Sequence, residues 1–184
     1  MDYSKSAIVS ALTKKHYTIY EGNILNLIGI RKDLEYTNKF DDRFCVFTDN
    51  IFLIFDCTTD AGMYYTKNFS NPRGTAVLKP DQYTNSHKIG KHKNDYSALV
   101  QARPLTVYRD TNMDTKIDYK EPDTGMFGIN IHRANAYSRS IQVDKWSAGC
   151  TVFADPFDFK KFMDIVFETR QTSFTYTLIE ERDI

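Results

Sequence analysis

Apolar residues follow two different spacings along the chain, and these predict a helical start, a long strand-rich middle and a helical end. In Ser4–Lys15 the apolar residues recur as on one face of a short amphipathic helix. The following segments are short and rich in β-branched and aromatic residues, with Gly, Pro, Asn and Asp between them, which is typical of strands. The predicted strands are Ile24–Ile30, Arg43–Thr48, Asn50–Cys57, Thr75–Leu78, Tyr96–Gln101 and Leu105–Tyr108.

Near its end the chain returns to helical spacing. Asp155 is a good N-cap acceptor, and Pro156 suits the first helical position. An apolar stripe follows on one face of this predicted helix, formed by Phe159, Phe162, Met163, Val166 and Phe167. Ser173–Glu181 then alternates polar and apolar residues, as an edge or half-buried strand does.

These elements predict a mainly β protein with two helices, of the α+β class. Because the strands come in runs and do not alternate with helices, a parallel nucleotide-binding sheet is disfavoured. The sequence contains no internal repeat and no Pro/Gly/Ser-rich linker, so we expect residues 1–184 to form a single domain.

Composition narrows the class of protein. A chain of 184 residues with 41% hydrophobic and 26% charged residues suits a globular domain that needs no disulfides. The formal net charge is zero, which argues against a nucleic-acid-binding surface. No apolar run is long enough to cross a bilayer. Met1–Ser6 lacks the pattern of a signal peptide, so we expect a protein made in the cytoplasm without one.

The three cysteines make an odd number and predict no closed set of disulfides. Cys45 and Cys57 lie in apolar strand-like runs, where free cysteine is usually a small buried residue. Cys150 differs, because it ends the tight turn Trp146-Ser147-Ala148-Gly149-Cys150, just before the apolar pair Val152-Phe153.

A histidine, His132, ends the strand-like run Gly125–His132, upstream of Cys150. A nucleophilic cysteine needs a base to ionise it and donors for the oxyanion that forms on the attacked carbonyl. From these residue types alone, a core histidine and a buried thiol are the more common interpretation.

The residues of the two segments and their order along the chain favour the interpretation of Cys150 as a nucleophile. Ile129-Asn130-Ile131-His132 is followed by Ser147-Ala148-Gly149-Cys150, with Cys150 eighteen residues after His132. Together they resemble the L,D-transpeptidase family, which modifies bacterial peptidoglycan. The resemblance covers roughly the last third of the chain. It implies a mixed β-sheet sandwich or barrel, no required cofactor, and peptidoglycan stem peptides as substrate.

Carried over residue by residue, the resemblance makes Cys150 the nucleophile and His132 its general base. Ser147 and the Gly149-Cys150 backbone would form the oxyanion and positioning loop. Ala148 stands where those enzymes carry a second histidine, and Thr151-Val152 replaces their usual pair after the cysteine. The two sequence segments are similar to those of a divergent branch of the family that is associated with bacteriophages. This similarity implies hydrolysis in preference to transpeptidation.

Four further residues are candidates for binding the substrate. Asn130 shares a strand face with His132 if the segment is extended, and Arg133 suits a stem-peptide carboxylate. His92 either replaces the missing histidine or is an exposed loop residue. Trp146 either forms a wall of the cleft or belongs to the core.

One acidic segment matches the ligand spacing of a calcium loop. Its oxygen donors are Asp110, Asn112, Asp114, Asp118 and Glu121. Thr115 occupies the position where such loops carry glycine, so an acidic surface turn is the rival interpretation. A bound calcium ion would be structural.

Two functions from other classes stay open. The chain is alternatively a non-catalytic phage structural or accessory protein that binds the cell wall or a virion partner. It is also a candidate zinc protein, with Cys150, His132 and His92 as ligands. In the enzymatic interpretation, the protein acts at the bacterial wall, during lysis or carried in a virion.

Overall fold

The computed structural model describes residues 1–32 and 34–184, and a closed eight-stranded barrel lies at its centre. Its helices are α1 (Lys5–Lys14), α2 (Met63–Lys67) and α3 (Pro156–Glu168), and a 3-10 turn covers Glu181–Asp183. The strands are β1 (Asn26–Arg31), β2 (Asp42–Phe47), β3 (Phe52–Thr58), β4 (Thr75–Leu78), β5 (Asp81–His92), β6 (Tyr96–Gln101), β7 (Leu105–Asp110), β8 (Pro122–Gly125), β9 (Ile131–Arg133), β10 (Thr151–Phe153) and β11 (Phe174–Glu180).

The barrel strands follow the order β1-β11-β5-β6-β9-β10-β3-β2, and β2 closes the barrel on β1. Neighbours are antiparallel except β1 with β11 and β9 with β10, which run parallel. A separate antiparallel sheet has the order β4-β7-β8. The prediction of a mainly β fold with helices is confirmed. The count of two helices is wrong, because α2 has only five residues and is too short to show a helical period.

Two apolar clusters cover the two faces of the barrel wall. The inner cluster includes residues of seven barrel strands together with the buried stripe of α3. That stripe contains the predicted residues except Phe167, which is 49% exposed. The outer cluster places α1 against β1, β2 and β11, through the residues Ile8, Ala11, Leu12, Ile28, Ile30, Cys45, Phe47 and Ile179.

Strand β11 departs from its prediction as an edge or half-buried strand. It pairs with β1 on one side and β5 on the other, and all seven of its residues are buried. Its alternating threonines are covered by other polar groups: Thr175 Oγ1 hydrogen-bonds to Tyr20 OH, and Thr177 Oγ1 accepts from Gln82 Nε2. The alternation of polar and apolar residues in β11 therefore reflects two buried faces with different neighbours, and neither face is exposed to solvent.

The register between β9 and β10 determines which of their side chains point outward from the barrel wall. Ile131 pairs with Thr151, and His132 pairs with Val152. Ile131 belongs to the inner cluster, while Val152 belongs to a separate outer group. Since side chains alternate along a strand, His132 faces outward beside Val152. Cys150, two residues before Val152, packs against the same outer group.

Candidate active site

The turn before β10 holds its shape through one side chain and one glycine. Ser147 Oγ donates a hydrogen bond to the Cys150 carbonyl at 2.9 Å and accepts one from the Gly149 N–H at 3.1 Å. Gly149 has a φ of 122°, and a Cβ atom there would lie 2.5 Å from the Ala76 carbonyl oxygen. Only glycine meets both demands without strain. The Ser147 hydroxyl and the Gly149 N–H are therefore engaged within the turn.

Cys150 is partly exposed as a residue, and its thiol lies between two backbone groups. Its Sγ accepts from the Asn130 N–H at 3.4 Å and donates to the Gly128 carbonyl oxygen at 3.4 Å. Burial of the sulfur raises the pKa of the Cys150 thiol, and the Asn130 N–H and Lys93 oppose that shift. The thiol is thus protonated at neutral pH. Within residues 1–32 and 34–184, the Cys150 N–H has no hydrogen-bond partner.

The other two cysteines lie where the sequence predicted. Cys45 and Cys57 are completely buried in strands β2 and β3. Burial raises the pKa of Cys45 to about 12 and that of Cys57 well above its ordinary value. Thiolate chemistry at neutral pH is therefore disfavoured at both.

Gln101, at the end of β6, organises the loop beside Cys150, and the sequence did not single it out. Its Oε1 accepts three successive N–H groups, from Phe127, Gly128 and Ile129, at 2.8–3.1 Å. Its Nε2 donates to the carbonyls of Arg103 and Gly125, both at 2.9 Å. The strand-like run Gly125–His132 is consequently split between the end of β8 and the start of β9. A lone glutamine at a strand end carries no sequence signal of such a role.

His132 is a buried, neutral imidazole with one nitrogen already engaged. Its Nδ1 lies 2.8 Å from the Arg133 carbonyl oxygen, and an oxygen acceptor requires that Nδ1 carry the proton. The lone pair is then on Nε2, as a general base needs. Burial, with His92 as the next cause, lowers the pKa of His132 to about 3. The His132 ring is therefore uncharged at neutral pH.

His92 is buried beside His132, so its interpretation as an exposed loop residue is wrong. The two rings stack with centroids 3.9 Å apart and an interplanar angle of 19°. His92 Nδ1 accepts from Asn130 Nδ2 at 3.2 Å, and Asn130 Oδ1 accepts from the Gln101 N–H at 2.9 Å. Asn130 shares the His132 face, as predicted, and orients His92. Burial lowers the pKa of His92 as well, with Lys93 and Arg133 adding to the effect.

Cys150 directly precedes β10, and His132 lies on the neighbouring parallel strand β9, but each residue lines its own cavity. The His132 cavity has a volume of about 310 Å³, and its walls include His92, Lys93, Tyr96, Arg133, Tyr137 and Trp146. The Cys150 cavity has a volume of about 280 Å³, and its walls include Ala76, Arg109, Phe127, Gly128 and Gly149. No hydrogen bond joins Cys150 Sγ to the His132 ring in the described parts of the chain. Lys93 lowers the pKa of both groups, so its ammonium lies within electrostatic reach of each cavity.

The predicted calcium loop occupies the connection after β7. Asp110 is buried, and its Oδ2 accepts from Tyr36 OH and the Asp118 N–H. Asn112 donates its amide to Asp118 Oδ2, which also pairs with Lys120 at 2.6 Å. Across residues 1–32 and 34–184, no three His, Cys, Asp or Glu side chains are grouped to hold a metal ion. The calcium and zinc sites stay predictions, which metal analysis and calorimetric titration would test.

In the part of the chain that the structure describes, no helix has the length and apolar character needed to span a membrane. No family model matches the chain, and no curated protein or solved structure shows significant similarity to it.

Proposed function

We propose that this protein is a cysteine-dependent enzyme that cleaves amide bonds in peptidoglycan stem peptides, with a fold of the L,D-transpeptidase type. The observation that carries the proposal is the placement of Cys150 and His132. His132 faces outward from β9, Cys150 directly precedes the adjacent parallel strand β10, and the Cys150 N–H has no hydrogen-bond partner among the described residues. The Ser147–Cys150 turn and the Gln101-held loop keep this arrangement fixed from both sides.

In the proposed reaction, Cys150 Sγ attacks the amide carbonyl and forms a C–S bond while its proton passes to His132 Nε2. The carbonyl oxygen becomes an oxyanion, which the Cys150 N–H stabilises; one such donor contributes about 3 kcal/mol. The C–N bond then breaks, and His132 returns the proton to the leaving amine. Water attacks the thioester, which releases a carboxylic acid and restores the thiol.

The protonation states of the resting site favour this concerted route. With the pKa of the thiol raised and that of the imidazole lowered, no thiolate–imidazolium pair is present before substrate binds. The proton must therefore move as the C–S bond forms. Hydrogen bonds of resting active sites are often long and tighten only in the substrate complex, which agrees with the lack of a direct Cys150–His132 bond.

The residues around the thiol favour hydrolysis over transpeptidation. Ala148 replaces the second histidine expected from the family resemblance, and its backbone bridges Ala61. His92 supplies a second imidazole, but it stacks on His132 and is held by Asn130. We propose that its role is to position the base. With this function, the site of action is the bacterial wall, during lysis or from a virion.

The test is digestion of purified peptidoglycan by the wild-type protein and by Cys150→Ala, with mass analysis of the released fragments. New fragments that depend on the thiol and on His132, lost in both Cys150→Ala and His132→Gln, support the proposal. Identical products from wild type and Cys150→Ala would refute it. Lys91→Met, at an exposed position outside both cavities, is the matched control and retains activity.

The second candidate is a non-catalytic phage structural or accessory protein that binds the wall or a virion partner. The observation in its favour is the protonated thiol without a bonded base. Alkylation by iodoacetamide separates the two functions. An enzyme shows Cys150 labelling that slows in His132→Gln, whereas a binding protein shows labelling that is indifferent to His132.

A further inference from the structure

The nucleophile turn, Trp146–Cys150, is held by the segment that follows β3. Within that segment, Ala61 forms a β-bridge with Ala148 of the turn. The next residue, Gly62, donates its backbone N–H to the Ser147 carbonyl at 2.9 Å. The Ser147 hydroxyl donates to the carbonyl of the nucleophile itself, so a shift of the segment reaches the nucleophile.

Asp60 begins this segment and anchors it through a buried ion pair. Asp60 is 8% exposed, and its partner Arg31, at the end of β1, is completely buried. Asp60 Oδ1 lies 2.7 Å from Arg31 Nε. The other two guanidinium nitrogens donate to the carbonyl oxygens of Leu78 and Thr59. The carboxylate of Asp60 is thus paired with a cation whose own position is fixed by the surrounding backbone.

A second buried carboxylate, Asp42 on β2, lies in the same cluster but has different hydrogen bonds. Asp42 accepts from the Lys32 N–H, the Thr59 N–H and Thr59 Oγ1 at 2.7–2.8 Å. Among the described residues, Asp60 Oδ1 has no hydrogen bond besides its ion pair with Arg31. Hydrogen bonds to a carboxylate favour its charged form, so Asp60 is the one of the two that takes up a proton more readily.

The charges around Asp60 bring its titration close to neutral pH. Burial raises the pKa of Asp60 to about 7, while Arg31 opposes this shift and Asp42 adds to it. Burial also raises the pKa of both Cys57 and Tyr36, so these two neighbours stay neutral. The titratable and charged groups that face Asp60 are Arg31 from β1, Asp41 and Asp42 at the start of β2, Cys57 from β3, and Tyr36 from the segment before β2.

From these contacts, and resting on the proposed function, we infer that Asp60 is a positioning residue that makes the reactivity of Cys150 depend on pH. Ionised Asp60 pairs with Arg31 and holds the Ala61–Gly62 backbone against the nucleophile turn. Protonated Asp60 loses this ion pair, and the turn is then no longer held in the geometry that the reaction needs. Because the ionised form holds the turn, activity falls as the pH falls through the pKa of Asp60.

Fluorescence of Trp146 measures the state of the nucleophile turn without any catalysis, because Trp146 is the single tryptophan and begins the turn. The wild-type protein is titrated between about pH 5.5 and 8.5, and we expect a transition with its midpoint near the Asp60 pKa of about 7. His92 lines the same cavity as Trp146, and burial lowers its pKa. His92→Gln should therefore retain the transition.

Variants assign the transition to Asp60. Asp60→Asn keeps the shape of the side chain without its charge, so its fluorescence should resemble that of the wild type at low pH and show no transition. Asp42→Asn removes a like charge and should move the midpoint to lower pH. Asp158→Asn is the matched control: burial raises the pKa of this carboxyl group on α3 as well, but its removal leaves the midpoint unchanged. Thermal melts check that each variant is folded.

Peptidoglycan digestion tests the consequence for catalysis. Between pH 8 and pH 6, the ionised fraction of a group with a pKa of about 7 falls about tenfold. The ratio of fragment release by wild type to that by Asp60→Asn should therefore fall several-fold over this range. Taking the ratio removes the pH dependence of the thiol, which both proteins share.

A wild-type fluorescence that stays constant between about pH 5.5 and 8.5 would overturn the inference, and this measurement needs no variant. A transition that persists in Asp60→Asn, one that is lost in His92→Gln, or an unshifted midpoint in Asp42→Asn would overturn it as well. Cys150-dependent digestion with a constant activity ratio leaves the proposed function standing and removes the inference. Failure of the proposed function gives a different pattern, in which Cys150→Ala digests peptidoglycan as the wild type does while the Asp60-dependent fluorescence transition persists.

Discussion

The single side chain of Gln101 should carry much of the stability of the loop that borders Cys150. Its amide makes five hydrogen bonds to the backbone, three as acceptor and two as donor. Gln101→Met keeps the length of the side chain and removes all five bonds. At about 1 kcal/mol per net hydrogen bond, with some replacement by water, we expect a loss of about 3–4 kcal/mol in the free energy of unfolding.

Gln101→Glu distinguishes the hydrogen bonds that the Gln101 side chain accepts from those that it donates. One carboxylate oxygen still accepts from the N–H groups of residues 127–129, but the other faces the carbonyls of Arg103 and Gly125. Repulsion there favours the protonated acid in the folded state, which raises the pKa of the introduced carboxyl group above its unfolded value. The stability of this variant should therefore fall as the pH rises through that raised pKa.

Urea unfolding measures both effects, with Gln142→Met, an exposed glutamine outside the site, as the control that changes by less than about 0.5 kcal/mol. Iodoacetamide labelling of Cys150 should accelerate in Gln101→Met, because the Gly128 carbonyl that contacts the thiol is released. A Gln101→Met protein within about 1 kcal/mol of wild type, with unchanged labelling, would refute the reasoning.

Two other predictions concern the same region. His87 is fully buried between Ser86 Oγ and a backbone carbonyl, and burial lowers its pKa to about 4. Because the unfolded chain binds that proton more tightly, stability is fully present above about pH 6.5 and is lost as the pH falls toward 4. In His87→Gln the loss between about pH 7.5 and 5 should be about 2 kcal/mol smaller than in wild type. Equal losses in the two proteins, measured by urea unfolding at both pH values, would contradict this. Gly149→Ala should cost about 3 kcal/mol in a thermal melt, from backbone strain and the clash with Ala76. Gly128→Ala, at a φ of 73° with open space around its Cβ, should cost about 1 kcal/mol, and equal losses would argue against the close contact.

Features that depend on residues close together along the chain could be predicted from the sequence. Helix α1 lies within the predicted Ser4–Lys15 segment, and α3 begins at Pro156 after the Asp155 cap, as expected. Strands β4 and β6 have the predicted bounds, because both are apolar and end at turn-forming residues. The placement of His132 and Asn130 on one face also follows from strand alternation, whereas its outward direction was decided by the barrel.

Other elements could not be predicted, because their stability comes from distant partners. β5 consists mostly of polar residues, yet it pairs with β11 on one side and β6 on the other, and those backbone hydrogen bonds hold it extended. The full burial of β11 depends on α1 covering its outer face. Short α2 is fixed by contacts such as the Gly62 N–H to the Ser147 carbonyl.

For the candidate site, the sequence by itself determined the residue types and the local turn: a cysteine directly after a glycine in a tight turn, and a histidine at a strand end. Only the tertiary structure decided the partners. It stacks His92 on His132, ties Asn130 to His92, and assigns the loop beside the thiol to Gln101. The physical reason is that turns and caps arise from hydrogen bonds and steric limits within a few residues. Burial, ring stacking and the pKa of a histidine arise from strands that meet only when the barrel closes.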